Sequence, residues 1–226
     1  MRTLVADNSR DVAAAAARFI QLRAAAAIRL RDRFRLAVSG GSTPSLMFDA
    51  LAALALDWGR VELFQVDERI APDGHVDRNA TQLTERLLHR VPLLRHNIHL
   101  MGVTSKDHCR AAIRYEAALG AVPLDVVHLG LGDDGHTASW PPGDPVVESA
   151  RAVAISCEYR GRSRMTLTPV AVNAGRARLM VVCGEDKATA LADWLRGRGD
   201  PPVRHLHRTR TTLMVDRAAA SQLTRG

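Results

Sequence analysis

Residues 124–139 read LDVVHLGLGDDGHTAS and join a short apolar run to a glycine-rich polar loop. The apolar run is nearly continuous, which is typical of a strand buried on both faces of a parallel sheet. The same order occurs at residues 36–44, LAVSGGSTP, and at residues 63–69, LFQVDER. Three strands that each end in a polar loop indicate an α/β protein whose loops meet at one edge of the sheet.

Further strands and helices alternate with these segments along the chain. Strands are predicted at residues 2–6, 36–38, 61–66, 98–101, 124–129, 152–156, 164–168, 179–183 and 213–215. Helices are predicted at residues 44–55, 81–89 and 187–196, from a cap at Asn8 or Ser9 to about Arg31, and at residues 105–119 with Thr104 or Ser105 as cap. This alternation predicts a mostly parallel sheet with helices on both faces. We find no linker or internal repeat, so a single domain over residues 1–226 is expected.

The chain of 226 residues has a globular composition and a basic balance. It carries 31 Lys and Arg against 24 Asp and Glu, a formal net charge of +7. A positive charge favours anionic partners, and both nucleic acid and phosphorylated metabolites qualify. The basic segment 196–210 lacks interleaved aromatic residues, so a solvated loop and edge strand is favoured there over a nucleic-acid surface.

The cysteines and the amino-terminal segment indicate a cytoplasmic protein. Cys109, Cys157 and Cys183 are far apart, so neither a zinc ribbon nor a disulfide framework is predicted, and reduced thiols are expected. The first ten residues have no apolar core of the kind found in signal peptides. The alanine-rich stretch 12–30 is interrupted by arginines and is too charged to span a bilayer.

The loop at residues 39–44, SGGSTP, has the features of an anion site. Glycines allow the backbone to approach a ligand closely, and the N–H groups at the start of the following helix attract negative charge. The hydroxyls of Ser42 and Thr43 can add hydrogen bonds. No Gly-Lys-Ser/Thr follows, so this is not a Walker A loop, and an ordinary tight turn with a capped helix is the alternative.

Two further motifs place titratable groups at strand ends. Asp67 and Arg69 follow the strand LFQV, where the planar guanidinium of Arg69 suits a phosphate; a surface ion-pair cluster is the alternative. In the loop at residues 130–139, Asp134 and His136 are two residues apart, so the carboxylate can orient an imidazole that acts as general base. A metal site that joins His136 to His128 or His75 has no supporting ligand spacing.

Two positively charged residues in the second half of the chain are the remaining candidate site residues. Arg164 opens the run RMTLT, and Lys187 starts the predicted helix at residues 187–196. Each alone is commonly a solvated surface charge. Together with Arg69 and the glycine loop, they could surround one phosphate through charge-assisted hydrogen bonds.

The motifs SGGSTP, VDER, GLGDDGHTASWPPG, RMTLT and GEDKATAL occur here in the order seen in the 6-phosphogluconolactonase family, which the chain resembles over nearly its whole length. The resemblance implies a modified Rossmann-like α/β fold in the superfamily of glucosamine-6-phosphate deaminase. It implies hydrolysis of 6-phospho-D-glucono-1,5-lactone to 6-phosphogluconate, the second step of the oxidative pentose phosphate pathway, with no metal or other cofactor. One departure is Trp140-Pro141-Pro142, where the family usually has Leu-Phe-Pro.

The resemblance also implies roles for individual residues. His136 matches the base that activates water, and Asp134 would orient it. Arg69, Lys187 and Arg164 match phosphate-binding positions, while Asp67 matches a strand-end aspartate that acts as a base in the deaminases. The other substrate positions implied by the resemblance are Gly40, Gly41, Ser42, Thr43 and Asn79. Backbone N–H groups of a glycine turn are the expected oxyanion donors.

Other functions remain open from the sequence. Deaminases of the superfamily carry a glutamate five residues after the histidine, and Pro141 stands there in this chain, so the resemblance favours the lactonase. A catalytically silent sugar-phosphate-binding regulator and a nucleic-acid binder are the further alternatives. The expected partner is a small sugar-phosphate lactone, with neither nucleic acid nor membrane, bound by a monomer or weak homodimer.

Overall fold

A computed structural model describes residues 1–223, apart from the side chain of Ser42. Ten strands occur in this described part: β1 (Arg2–Ala6), β2 (Phe34–Val38), β3 (Val61–Gln65), β4 (Asp67–Arg69), β5 (Ile98–His99), β6 (Val126–Leu129), β7 (Val153–Tyr159), β8 (Arg162–Leu167), β9 (Arg178–Val182) and β10 (Thr211–Asp216). Seven of them form a wholly parallel sheet in the order β1-β10-β9-β6-β2-β3-β5. The predicted mostly parallel sheet is therefore confirmed.

Helices cover both faces of this sheet, as predicted. Their bounds are α1 (Ser9–Arg31), α2 (Ser42–Ala52), α3 (Asn79–Leu83), α4 (His108–Leu119), α5 (Pro169–Ala174) and α6 (Ala188–Arg196). On one face, Ile20 of α1 and Phe48 of α2 belong to one buried apolar cluster. On the other face, Tyr115 of α4 and Trp194 of α6 belong to a second cluster. No helix within residues 1–223 is long and apolar enough to cross a membrane.

A second, antiparallel sheet of β4, β8 and β7 was not predicted. β7 and β8 are joined by the two residues Arg160 and Gly161, which both have positive φ (51° and 77°). Positive φ at both central residues is the backbone of the turn that best matches the twist of a β-hairpin. Val66 links the two sheets, because its N–H donates to the Val38 carbonyl and its own carbonyl accepts from the Leu167 N–H. The second sheet therefore begins where β3 leaves the first.

Several predicted boundaries were wrong. The helix predicted at residues 105–119 begins at His108, because Asp107 rather than Thr104 or Ser105 accepts the N–H of Arg110 and caps it. The helix predicted at residues 81–89 is α3 followed by one wide turn, Thr84–Leu88. The helix predicted at residues 44–55 is α2 and ends at Ala52. The cap at Asn8 is confirmed, since its side chain accepts the N–H groups of Arg10 and Asp11.

The basic segment 196–210 is a loop, but the strand that follows it is not an edge strand. β10 lies between β1 and β9 inside the sheet. Two arginines of the segment are bound to the protein itself: Arg208 donates to the carbonyls of Trp194 and Leu195, and Arg204 pairs with Asp200. Groups of the protein itself therefore occupy part of the hydrogen-bonding capacity of these guanidinium groups.

Candidate active site

A cleft of about 210 Å³ lies at the carboxyl ends of the parallel strands, where a doubly covered parallel sheet commonly binds its ligand. Its volume is below the roughly 300–1,000 Å³ of pockets for drug-sized ligands, so it suits a small molecule. Nine residues of the predicted site line it: Gly40, Gly41, Thr43, Asp67, Arg69, Asn79, His136, Arg164 and Lys187. Asp134 lies behind His136, and the side chain of the remaining predicted residue, Ser42, is outside the described part.

Two arginines lie side by side on adjacent strands of the second sheet, and this part of the cleft is here called the Arg69 side. Arg69 of β4 is the register partner of Arg164 of β8. Side chains at such positions share a face, and like charges directly opposite destabilise a sheet. Neither guanidinium forms an ion pair within residues 1–223, and the buried Nε of Arg164 has no hydrogen-bond partner there. Burial and the Arg69 charge both lower the pKa of Arg164, which Asp67 opposes. A bound anion would relieve this repulsion.

Asn79 holds Arg69 in place and is itself held by the glycine loop. Its Oδ1 accepts from Arg69 Nη1 at 2.9 Å, and its Nδ2 donates to the Asp67 carbonyl at 2.9 Å. A Cβ added to Gly40 would lie 2.2 Å from Asn79 Oδ1. Gly40 is therefore required for close packing against Asn79, and through Asn79 for the position of Arg69.

The rest of the cationic side is Lys187 together with the start of α2. Lys187 follows β9, and its Nζ lies 2.8 Å from the exposed carboxylate of Asp186. Gly41 has a φ of 124°, and its N–H donates to Gln82 Oε1 at 3.2 Å. Thr43 lines the cleft within the first turn of α2, where helix N–H groups favour an anion.

His136 lines the cleft from the loop after β6, here called the His136 side, with Asp134 bound behind it. Asp134 Oδ1 lies 2.6 Å from His136 Nδ1 and accepts the His136 backbone N–H at 3.1 Å. A proton on Nδ1 leaves Nε2 as the basic nitrogen. Burial of Asp134 favours its neutral form, but hydrogen bonds from Tyr159 and His136 outweigh that effect and lower the pKa of Asp134 to about 2. The carboxylate is therefore charged at neutral pH.

Tyr159 was not among the predicted site residues, yet its hydroxyl donates to Asp134 Oδ2. The hydroxyl also lies 3.5 Å from His136 Nδ1, and the two rings meet edge to face with centroids 5.5 Å apart. The guanidinium of Arg164 lies 5.2 Å from the centre of the Tyr159 ring. The only sequence signal for this contact was the Arg160-Gly161 turn, which places β7 beside β8.

The adjacent carboxylates of Asp67 and Glu68 have different surroundings, because neighbouring residues of a strand point to opposite sides. Asp67 lines the cleft, and its Oδ2 accepts from Ser139 Oγ at 2.7 Å. Glu68 is fully buried and accepts the backbone N–H groups of Asn79 and Ala80. Ser139 and Glu68 lie within the quoted motifs but were not among the predicted site residues: Ser139 holds Asp67, and Glu68 holds the start of α3.

The glycines of the His136 loop allow close packing but offer few oxyanion donors. A Cβ on Gly132 would lie 2.0 Å from His136 Nδ1, so the imidazole rests directly on this glycine. The N–H of Gly132 donates to the His136 carbonyl, and the N–H of Gly135 donates to the Gly132 carbonyl. With the Gly41 N–H also occupied, three of the glycine N–H groups expected to serve as oxyanion donors already have partners.

The histidine pairs considered for a metal do not form. His128 is fully buried in β6, where desolvation lowers its pKa to about 3, and His75 bonds to the Asp77 N–H outside the cleft. Ligand atoms of Asp133, Asp134 and His136 do lie within 4.8 Å of one another. Each already has a protein partner, since Asp133 binds Arg160 and the other two bind each other.

Trp140 anchors the loop rather than shaping the cleft. Its side chain is fully buried, and its Nε1 donates to the Leu167 carbonyl of β8 at 2.8 Å. The departure from the Leu-Phe-Pro pattern therefore lies beneath the site, outside the residues that line it.

Residues 7–215 match the model of the family described as glucosamine-6-phosphate isomerases and 6-phosphogluconolactonase. A 6-phosphogluconolactonase of Streptomyces coelicolor is 34% identical over 243 residues, covering 97% of this chain and 93% of its own length. One from Nostoc is 33% identical over 210 residues, covering 87% and 88% respectively. A solved 6-phosphogluconolactonase of Trypanosoma cruzi superposes with a TM-score of 0.85 at 24% identity and covers 99% of this chain and 97% of that one.

Proposed function

The chain belongs to the glucosamine-6-phosphate isomerase and 6-phosphogluconolactonase family, and we propose that it hydrolyses 6-phospho-D-glucono-1,5-lactone to 6-phospho-D-gluconate in the oxidative pentose phosphate pathway. The observation that carries this proposal is one cleft with different chemistry at its two sides. Arg69 and Arg164 are adjacent on the second sheet and have no carboxylate ion-pair partner within residues 1–223, and His136 lines the cleft from the loop after β6 with Asp134 behind it. A phosphate and an ester carbonyl on one small sugar match these two sides.

The cations bind the phosphate and leave the ring to be oriented by neutral and acidic groups. Arg69, Arg164 and Lys187 form charge-assisted hydrogen bonds to the phosphate, helped by Thr43 and the start of α2. Asp67, held by Ser139, accepts a hydrogen bond from a sugar hydroxyl. Binding energy from the phosphate then fixes the carbonyl C1 beside His136, which removes the entropic cost of bringing the reactants together.

His136 Nε2 takes a proton from a water molecule as the water oxygen bonds to C1. The carbonyl thereby becomes a tetrahedral oxyanion. The C1–ring oxygen bond then breaks, and the imidazolium returns its proton to that oxygen. Ionised Asp134 stabilises the imidazolium between the two steps and holds the reactive tautomer. The new carboxylic acid ionises and releases one proton to solvent.

The cleft favours hydrolysis over the ring opening and isomerisation of an amino sugar. The isomerisation needs additional acid and base groups, but Asp67 is the only carboxylate among the described residues that line the cleft. Pro141, at the position of the deaminase glutamate, is buried and has no proton to transfer. A silent regulator would have no use for the Asp134–His136 pair.

We further propose that residues 1–226 act as one domain, as a monomer or weak homodimer in the cytoplasm, without a metal and without nucleic acid. Strands β2, β4, β6, β8 and β9 or the loops after them all contribute to one cleft, which supports a single catalytic unit. Cys109, Cys157 and Cys183 are free thiols, which agrees with a reducing compartment.

The test is a pH-stat assay with freshly generated 6-phosphogluconolactone, corrected for spontaneous opening. We expect one proton per lactone at a rate far above the spontaneous reaction, and a much lower kcat/KM for unphosphorylated gluconolactone. Ammonia release from glucosamine 6-phosphate is measured in parallel. Ammonia release without lactone hydrolysis would support the deaminase, and activity on neither would refute an enzyme of this family.

A further inference from the structure

Tyr159 is the last residue of β7, where it pairs with Arg162 across the hairpin turn. It is one of only two tyrosines in the chain and belongs to none of the motifs on which the proposed function rests. Its half-buried side chain nevertheless contacts groups at both sides of the cleft. We propose, on the basis of the lactonase function above, that Tyr159 is a positioning residue: its hydroxyl fixes the Asp134–His136 pair, and its ring fixes Arg164.

The hydroxyl completes the coordination of the Asp134 carboxylate. Oδ1 accepts two hydrogen bonds from His136, through Nδ1 and the backbone N–H. Oδ2 accepts the hydroxyl of Tyr159. A carboxylate bound through one oxygen can still rotate, whereas one bound through both is fixed. Tyr159 therefore holds the plane of the carboxylate and, through it, the direction of the imidazole.

The hydroxyl also adjusts how strongly Asp134 attracts a protonated His136. The charged groups around Tyr159 are Asp134 and His136 on the loop after β6, Asp133 beside them, and Arg160 and Arg164 on the hairpin. Burial and the adjacent carboxylate raise the pKa of Tyr159 to about 12, so the phenol remains a donor at neutral pH. Donation to Oδ2 withdraws charge from the carboxylate, so the imidazolium is held less tightly and gives up its proton more readily.

The ring acts on the other side of the cleft. Arg164 lies 5.2 Å from the ring centre, a distance at which a guanidinium is attracted to the face of a tyrosine. The attraction offsets part of the repulsion between Arg164 and Arg69, which are register partners. Arg160, 5.1 Å from the same ring centre, is already paired with Asp133. The ring thus supports the one arginine of the two that has no ion-pair partner in the described chain.

The two functions of Tyr159 can be separated with two substitutions. Tyr159→Phe keeps the ring and removes the hydroxyl, so kcat should fall about tenfold, as for one hydrogen bond to a charged group, while KM for the phosphorylated lactone changes less than twofold. The acid limb of the pH–rate profile should move to higher pH, because Asp134 then holds the protonated base more tightly. Tyr159→Leu should show the same loss in kcat and also raise KM for the phosphorylated lactone several-fold.

Tyr115→Phe is the matched control, because Tyr115 is buried in α4 and its hydroxyl donates to the Gln65 carbonyl away from the cleft. It should lower the melting temperature and leave kcat, KM and the pH profile unchanged. A Tyr159→Phe enzyme with wild-type kcat, or one with reduced kcat and an unmoved acid limb, would overturn the proposal. Equal KM in the Phe and Leu variants would overturn the assignment to the ring.

A second readout does not require turnover. Nitrogen-15 spectra of the His136 ring should show a proton on Nδ1 in the wild type and a titration midpoint at higher pH in Tyr159→Phe. If the wild type hydrolyses no lactone but this midpoint moves, the proposed function fails and the positioning role stands. If the lactonase is active and the midpoint does not move, the positioning role fails alone.

Discussion

The His136 side and the Arg69 side of the cleft share one structural feature, a glycine packed tightly against a polar side chain. At each, a glycine lies so close to a polar side chain that a Cβ would overlap it: Gly132 against His136, and Gly40 against Asn79, which holds Arg69. The difference is electrostatic. His136 has a carboxylate partner within the protein, whereas Arg69 and Arg164 have none in the described chain. We therefore expect substitutions on the His136 side to lower kcat. Substitutions on the Arg69 side should raise KM for the phosphorylated lactone.

The largest effect is expected from removing the base. His136→Ala should lower kcat by about 10²–10⁴-fold, the usual contribution of general base catalysis, with KM for the phosphorylated lactone little changed. Initial rates corrected for spontaneous opening measure both constants. His89→Ala, a substitution of an exposed histidine outside the cleft, should behave as the wild type. Near-normal turnover by His136→Ala would show that His136 is not the general base.

A displaced His136 imidazole should lower kcat nearly as much as the loss of the imidazole. Gly132→Ala forces the imidazole away from its position, and misplacement of a catalytic group by about 1 Å can cost about 10²-fold in kcat. Gly59→Ala is the control, since its Cβ would meet the nearest atom at an ordinary 3.5 Å. A folded Gly132→Ala enzyme in which KM rises and kcat is unchanged would contradict the division between the two sides.

The equivalent substitution on the cationic side should act on binding. Gly40→Ala displaces Asn79 and loosens the hydrogen bond that holds Arg69, so KM for the phosphorylated lactone should rise about tenfold, as for one charged hydrogen bond. KM for unphosphorylated gluconolactone should change little. Equal increases on both substrates would show that Gly40 serves the ring rather than the phosphate.

The smallest effect is on stability at acid pH. The folded-state pKa of Asp134, lowered to about 2, is below its unfolded value of about 3.9, so the carboxylate stabilises the fold above pH 4 and loses that contribution as the pH falls toward 2. Because the side chain is partly exposed, the contribution should be about 1 kcal/mol. Urea unfolding of wild type and Asp134→Asn should differ by this amount at pH 6 and converge near pH 2. A difference that is constant with pH would contradict it.

Many residues on both sides of the cleft could be predicted from the sequence, because the carboxyl ends of parallel strands lie at the same edge of a sheet. Gly40, Asp67 and His136 follow three separate buried strands, and this alone places them together. The pairing between segments that are distant in the sequence was not predicted. The register that sets Arg164 against Arg69, and the hairpin that brings Tyr159 to Asp134, depend on an antiparallel sheet that no local pattern specifies. The cap of α4 was also missed, since Thr104, Ser105 and Asp107 are all suitable cap residues and Asp107 is the one whose side chain accepts the Arg110 N–H.

Two variants assayed on two substrates separate the role of His136 from that of Arg69. His136→Ala and Arg69→Ala are each assayed for kcat/KM on 6-phosphogluconolactone and on unphosphorylated gluconolactone. We expect His136→Ala to lose the same large factor on both substrates, whereas Arg69→Ala should lose about tenfold or more on the phosphorylated lactone and almost nothing on the other. Equal losses by Arg69→Ala on both substrates would contradict this expectation.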